Sequence, residues 1–217
     1  MDDKFLHYHL HERCENISVM ERSIAFFDFD GTITRKDTML ELVKFIKGKP
    51  EFYKGMALIS PWLIAMKLKL VSNHKAKEIL LKKFFKDMPL QEFNNYCERF
   101  SLNKIPALVR ADAWKAIEEH KNSGDEIVVV TASAENWISP WCKVNGLKYI
   151  ATKLETSEGN ITGNLCGLNC NSAEKVNRIK KEFDPAGFKN IYCYGDSGGD
   201  KEMLSIASHP FFRLFKG

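Results

Sequence analysis

The stretch Ile24-Ala25-Phe26-Phe27-Asp28-Phe29-Asp30-Gly31-Thr32-Ile33-Thr34 decides the reading of this chain. It is an apolar run that stops at two carboxylates two residues apart and then turns on a glycine. Side chains two apart fall on one side of a strand. At the frayed end of such a strand, Asp28 and Asp30 are expected to converge on one spot. Two acids held that close repel each other unless a cation or a shared proton offsets the repulsion. The economical reading is a metal-assisted nucleophile with a proton-transfer partner. The bland reading, two strand-end caps, leaves unpaired acids inside an apolar run, which is costly.

Working outward, the first strand is read as Ser23–Phe29. Helical periodicity begins at Thr38, where Met39, Leu42, Val43 and Ile46 recur at helical spacing. Gly48-Lys49-Pro50 is a stop signal. A very apolar segment, Met56–Leu70 with Pro61 inside it, comes next. Further helices are expected near Lys75–Phe85 and from Pro89 to Phe100. About 75 residues of mostly helical sequence thus separate the first strand from the next, which is the shape of an insertion and not of a loop. After Pro106 the pattern changes. A helix (Ala107–Asn122) leads to a β-branched run, Glu126–Val130, whose lack of alternation marks a buried parallel strand. A helix near Ala134–Asn145 follows, then a hairpin of Tyr149–Glu155 and Ile161–Cys166. The last elements are a helix (Ser172–Phe183), a strand (Ile191–Tyr194), a short helix from Asp200 and a final strand at His209–Phe212. Strand–helix alternation predicts an α/β fold: a Rossmann-like three-layer core with a mostly parallel sheet, plus a helical cap inserted after the first strand. The expected division is a tail at 1–22, a core at 23–35 and 105–217, and a cap at 36–104.

Composition fits one well-buried core with an inserted subdomain. The chain has 217 residues, 44% hydrophobic and 28% charged. Its 32 basic and 28 acidic residues give a net charge of +4 without a dense basic tract, so nucleic acid is not an expected partner. Cys14, Cys97, Cys142, Cys166, Cys170 and Cys193 form no CxxC pair. Reduced thiols of a cytoplasmic protein are expected, and zinc at Cys166/Cys170 is disfavoured because no second ligand pair accompanies them. Met1–Arg22 lacks the apolar core of a secretory signal. His7, His9 and His11 alternate there and read as part of a polar tail.

Ligands of an open parallel sheet sit at the carboxyl ends of its strands. Three strands here end in chemically able groups: Asp28-Phe29-Asp30-Gly31-Thr32, Thr131-Ala132-Ser133 and Gly195-Asp196-Ser197-Gly198-Gly199-Asp200. Lys175 lies near the start of a helix between the last two. Taken alone, it reads equally as an exposed helix lysine.

These four motifs, in this order from about Ser23 to Ala207, resemble the haloacid dehalogenase-like (HAD) hydrolase superfamily. The likeness is to its phosphatase branch with a helical cap after the first motif, the phosphoserine phosphatase-like members of subfamily IB. The resemblance implies a Mg²⁺-dependent phosphatase that hydrolyses a phosphate monoester through an aspartyl-phosphate. It implies that Asp28 is the nucleophile and that Asp30 protonates the leaving oxygen and then activates water. Asp28, Asp196 and the backbone carbonyl of Asp30 would hold the metal, with Asp200 acting behind them or through water. Thr131 and the N–H groups of Phe29 and Ala132 would hold phosphate oxygens, and Lys175 would supply fixed positive charge. Relatives often carry a glycine where Ser172 stands, and Ser172 is read here as a helix N-cap. At Asp37, phosphoserine phosphatases carry a glutamate that contacts the substrate's amine. Asp37 reads as a substrate contact or as a cap for the helix starting at Thr38. Phosphoserine phosphatases also have DxDST where this chain has DxDGT.

Met56–Leu70 is too short and interrupted to span a bilayer. It reads as a buried helix, or as a segment in the membrane interface, where Trp62, Lys67 and Lys69 would suit. Bacterial phosphatidylglycerophosphate phosphatases of the superfamily have a similarly apolar segment at this point. The partner is therefore a small phosphorylated substrate or a lipid phosphate, with peripheral contact to the inner membrane face through 56–70 in the second case. Phosphotransfer to an alcohol is a further alternative. Dehalogenases, ion-pump ATPases and a non-catalytic module are disfavoured because Asp28 and Asp30 are both present and pump-type membrane helices are missing from the sequence.

Overall fold

In the computed structural model, which describes residues 22–216, β1 (Ser23–Phe27) leads into three inserted helices. These are α1 (Thr38–Lys67), α2 (Asn73–Phe85) and α3 (Leu90–Asn103). A 3₁₀ turn (Ile105–Leu108) and α4 (Ala111–Asn122) return the chain to β2 (Glu126–Ala134). Then come α5 (Glu135–Val144), β3 (Lys148–Thr152), β4 (Leu154–Ser157), β5 (Asn160–Leu165), α6 (Ala173–Glu182), β6 (Asn190–Gly195), α7 (Lys201–Ser205) and β7 (His209–Phe212). The expectations for the N-terminal tail, with His7, His9, His11 and Cys14, lie outside the described residues.

The main sheet runs β3-β2-β1-β6-β7, parallel throughout, with β1 at its centre. A central parallel strand is covered on both faces, so β1 is apolar at every position from Ile24 to Phe27. Its alternation still sorts the two faces. Ala25 and Phe27 pack with Ile117 of α4 and Trp137, Ile138 and Trp141 of α5. Ile24 and Phe26 pack with Ile179 of α6 and Met203 of α7. The result is three layers.

The inserted helices extend the first of these cores: Leu42, Val43, Leu81, Phe85, Phe93 and Phe100 are all buried in it. Gly48, with φ +79° and ψ 161°, breaks α1 at the expected stop signal, whereas Pro61 leaves the helix continuous. The β4–β5 hairpin is not part of the main sheet and packs beneath the insertion. Ile161 N–H donates to Met88 O and Asp87 N–H to Ile161 O.

Several elements depart from the sequence reading. The first strand ends at Phe27, two residues early: Asp28 N–H still donates to Tyr194 O, but from Phe29 the chain enters a loop that closes through Thr34 N–H on Phe29 O. Tyr149–Glu155 is not one arm of a hairpin. It splits at Lys153 into β3, parallel to β2, and β4, antiparallel to β5. The helix read from Ala107 starts at Ala111, after a separate 3₁₀ turn. Ser172 makes no side-chain cap to α6. It holds φ +52°, a backbone conformation that favours glycine.

Candidate active site

The pairing of β1 with β2 and β6 brings three loop ends together at one edge of the sheet. Continuing the alternation of Ile24 and Phe26, Asp28 faces the α6 side, where Lys175 comes up from the first turn of that helix. Lys175 Nζ lies 2.5 Å from Asp28 Oδ1, 2.7 Å from Asp200 Oδ1 and 2.7 Å from Val130 O. An ammonium has three protons, and all three are used. Lys175 is 1% exposed and bonded to Asp28, so it is not an exposed helix lysine.

Burial pushes the Asp28 carboxyl up to about 7, against the opposing charge of Lys175. Burial also pulls Lys175 down, but Asp28 and Asp200 outweigh it and hold the ammonium above its ordinary value. Asp200 resists the effect of its burial because Lys175 and the bonds from Ser197 keep its carboxyl low. Its Oδ2 accepts from the N–H groups of Asp196 and Ser197 and from Ser197 Oγ, at 3.2, 3.0 and 2.8 Å. Both oxygens of Asp200 are therefore committed to the frame.

Carboxylate oxygens of Asp28, Asp196 and Asp200 lie within 4.8 Å of one another. Desolvation and the Asp200 charge raise the Asp196 carboxyl, as crowded acids without a compensating cation require. Hard oxygen donors at this spacing suit Mg²⁺, which keeps several waters and takes one or two carboxylates. Asp28 and Asp196 would hold the ion, with Asp200 acting through water. Gly31, at φ +93°, keeps this corner open: a Cβ there would stand 2.5 Å from Asp196 Oδ2.

Asp30 does not join that cluster through its side chain. The strand has ended before it, so the period of two no longer applies. Its Oδ1 accepts from Thr38 N–H at 2.7 Å, at the start of α1, and its Oδ2 accepts from Ser133 Oγ at 2.5 Å. Thr38 Oγ1 lies 3.2 Å from Ser133 Oγ, and Trp137 Nε1 donates to Thr38 Oγ1 at 3.1 Å. With Ser133 donating to Asp30, the chain of donors runs Trp137, Thr38, Ser133, Asp30.

Thr131, buried at the same strand end, accepts from Ser133 N–H at 3.0 Å, which leaves its hydroxyl proton for another acceptor. Ala132 lies beside it on the pocket wall, and Phe29 is turned away against Trp141, ring centroids 5.2 Å apart. Asp37 accepts from Leu40 N–H at 3.0 Å and caps α1. Although it keeps solvent contact, desolvation and the Asp30 charge push it up to about 6.

One cavity of about 140 Å³ is lined by Asp28, Asp30, Asp37, Thr131, Ala132 and Lys175. Lys77, Ser133, Asn171 and Ser197 line it too and were not picked out as site residues. Ser133 was signalled by its spacing of two from Thr131. Lys77, on an inserted helix rich in lysines, carried no signal. A second cavity of about 510 Å³ shares Asp37, Met39, Lys77, Ala132 and Asn171 with the first and continues between α1 and α2 along Met56, Leu63, Met66 and Leu80.

An acid pair just past the first strand, a buried lysine and a distant acidic loop, gathered at the carboxyl edge of a parallel sheet, define a hydrolase of the haloacid dehalogenase-like type. The family model for the haloacid dehalogenase-like hydrolases matches residues 25–205, and the chain belongs to that family. Within it, the chain is an enzyme of phosphatase type; phosphatase-named proteins are among its relatives. It is 34% identical to Protein CicA of Caulobacter vibrioides over 199 residues, 91% of this chain and 88% of that one. A Bordetella pertussis protein of unknown function shares the fold with a TM-score of 0.75 at 22% identity, over 87% of this chain and 88% of that one. A phosphoserine phosphatase solved as a phospho-aspartyl intermediate analogue has a TM-score of 0.62 at 21% identity, over 86% and 84%. No helix among the described residues is long and apolar enough to cross a membrane.

Proposed function

We propose that the protein is a Mg²⁺-dependent phosphomonoesterase that works through an aspartyl-phosphate on Asp28. The observation that carries this is the three-way hold of Lys175, which binds Oδ1 of Asp28, a residue that lines the cavity, and not Oδ2. Asp28 Oδ2 attacks phosphorus, and the bond from phosphorus to the ester oxygen breaks. Asp30 hands its proton to that departing oxygen. It then takes a proton from water as the water attacks phosphorus and the bond to Asp28 breaks, releasing phosphate. Ser133 and Thr38 N–H keep the Asp30 carboxyl aimed. Thr131 Oγ and the N–H groups of Phe29 and Ala132 hold the phosphoryl oxygens. Lys175 offsets the charge of Asp28 and Asp200, so an anionic ester can approach. When bound, Mg²⁺ would screen the phosphate from the nucleophile.

Hydrolysis of para-nitrophenyl phosphate tests this reading. Asp28→Asn is expected to abolish turnover with the fold intact, a chelator to stop the reaction and Mg²⁺ to restore it. Acid-quenched protein should carry one acid-stable, hydroxylamine-labile phosphoryl group. Full activity in Asp28→Asn would reject the nucleophile.

A second reading, favoured by the larger cavity, is that the ester is a lipid phosphate. The methionine- and leucine-lined space between α1 and α2 would take an apolar arm of the leaving group. On the outside of α1, Leu58, Trp62 and Ile64 are exposed, as are Leu68 and Leu70 just past its end, flanked by Lys67 and Lys69, which suits peripheral contact with an anionic inner membrane face from the cytoplasm. Turnover of lipid phosphates in anionic vesicles, exceeding that of soluble esters, would support it; equal turnover without vesicle association would reject it. Transfer to an alcohol is separated from hydrolysis by measuring phosphate release with and without candidate acceptors.

A further inference from the structure

Lys77 is a cation of the inserted helices that touches the backbone of the phosphate loop. From α2 it donates to the carbonyl oxygen of Ala132, and to Asn169 Oδ1 at 3.3 Å. Burial lowers its pKa, while the Asp30 and Asp37 charges oppose that effect. The Ala132 carbonyl belongs to the same peptide group as Ser133 N–H, and that N–H donates to Thr131 Oγ1 at 3.0 Å. Peptide groups are planar. A bond that fixes the oxygen at one end therefore fixes the direction of the N–H at the other. Ser133 in turn carries the hydroxyl 2.5 Å from Asp30 Oδ2. One peptide plane thus sits between the insertion, the Thr131 hydroxyl and the Asp30 carboxyl.

We infer that Lys77 is a positioning residue: by holding Ala132 O it sets the peptide plane that orients Thr131 and Ser133, so that the phosphate site is complete only with the inserted helices seated on the core. Neither Lys77 nor the insertion need touch the phosphoryl group for this. The inference rests on the phosphatase reading above. It differs from a leaving-group contact, the other role open to a lysine in this cavity, because a peptide-plane effect acts on phosphate itself and on the smallest substrates.

The test compares the unaltered protein, Lys77→Met, Lys77→Gln and Lys77→Arg, all with Mg²⁺. Inorganic phosphate affinity is measured by calorimetry, and kcat and KM separately with methyl phosphate and para-nitrophenyl phosphate. Lys77→Met and Lys77→Gln are expected to weaken phosphate binding and lower kcat on both esters by roughly 10- to 100-fold, the cost of misplacing groups by about an ångström. Lys77→Arg should recover part of the loss, because a donor still reaches Ala132 O. Exchange of the Ser133 amide proton should quicken in Lys77→Met, a change that a general loss of stability would spread over the whole sheet. Phosphate affinity and kcat at the unaltered level, with only KM for bulkier esters raised, would overturn the inference and make Lys77 a leaving-group contact. A Lys77→Met chain that does not fold leaves the decision to Lys77→Gln and Lys77→Arg: equal loss in both would also overturn it. Failure of the unaltered protein to hydrolyse either ester would overturn the phosphatase reading itself, and this role with it.

Discussion

Lys175 Nζ stands 2.5 Å from Asp28 Oδ1, and its two remaining protons go to Asp200 Oδ1 and Val130 O. The buried ammonium therefore acts as a three-point clamp that ties Asp28 to Asp200 and to the Val130 carbonyl.

Replacing it removes both charge and clamp. Lys175→Met is expected to lower kcat/KM by roughly 100- to 1,000-fold. Breaking a buried ion pair from one side should also cost about 3 kcal/mol, read from urea unfolding. Lys175→Arg should not restore activity, since a planar guanidinium cannot fan to three acceptors as an ammonium does.

The raised Asp28 carboxyl gives an unusual pH dependence to the metal-free protein. Its folded value is about 7 against 3.8 for the free side chain. Between those values the folded chain keeps a proton that the unfolded chain has released, so this group makes stability fall as pH rises. Asp37, at about 6, acts in the same sense over the lower part of that window. Asp200 has the opposite sign: its carboxyl is held below 3.8, and its contribution is lost only as pH falls below that value. In chelator, the urea midpoint is expected to be higher near about pH 5 than near about pH 7.5, and added Mg²⁺ should reverse the order. A midpoint that rises steadily with pH in chelator would contradict the Asp28 environment.

Gly31 keeps the corner of the proposed metal site open by having no side chain. In Gly31→Ala, the Cβ would lie 2.5 Å from Asp196 Oδ2 on a backbone at φ +93°. The Mg²⁺ concentration for half-maximal activity should rise by roughly 10- to 100-fold, the range for disturbing a ligand's support. Saturating metal should recover part of the rate.

Ser172 holds φ +52° just before α6 without capping it. Ser172→Gly is expected to relieve strain and stabilise the protein by about 1 kcal/mol, since such backbone costs run from about 1 to 3 kcal/mol. For a chain of this size that is a rise in Tm of roughly 2–4 °C.

Much of this arrangement was legible in the chain. The uninterrupted apolar run of β1 announces a strand covered on both faces, and the acids at its end announce the edge where ligands bind. The break at Gly48 was legible because glycine and proline leave few alternatives. The division at Lys153 was not, since Tyr149–Glu155 is β-prone throughout and only pairing partners distinguish β3 from β4. The separate aims of Asp28 and Asp30 were hidden for a related reason: alternation holds only while the strand lasts, and β1 ends at Phe27. Lys77 was invisible because its place depends on how α2 folds back over the sheet, 49 residues downstream of Asp28 by the difference between the two residue numbers.

The sheet order β3-β2-β1-β6-β7 also sets how finely such chemistry can be tuned. Asp28 and Asp196 follow β1 and β6, and Thr131 lies in β2 on the other side of β1, so their mutual distances descend from a spacing of about 4.8 Å that every parallel ladder repeats. That ladder is a ruler whose marks no side-chain replacement can move. Variation in the inserted helices can therefore change which molecule arrives without recalibrating where it reacts.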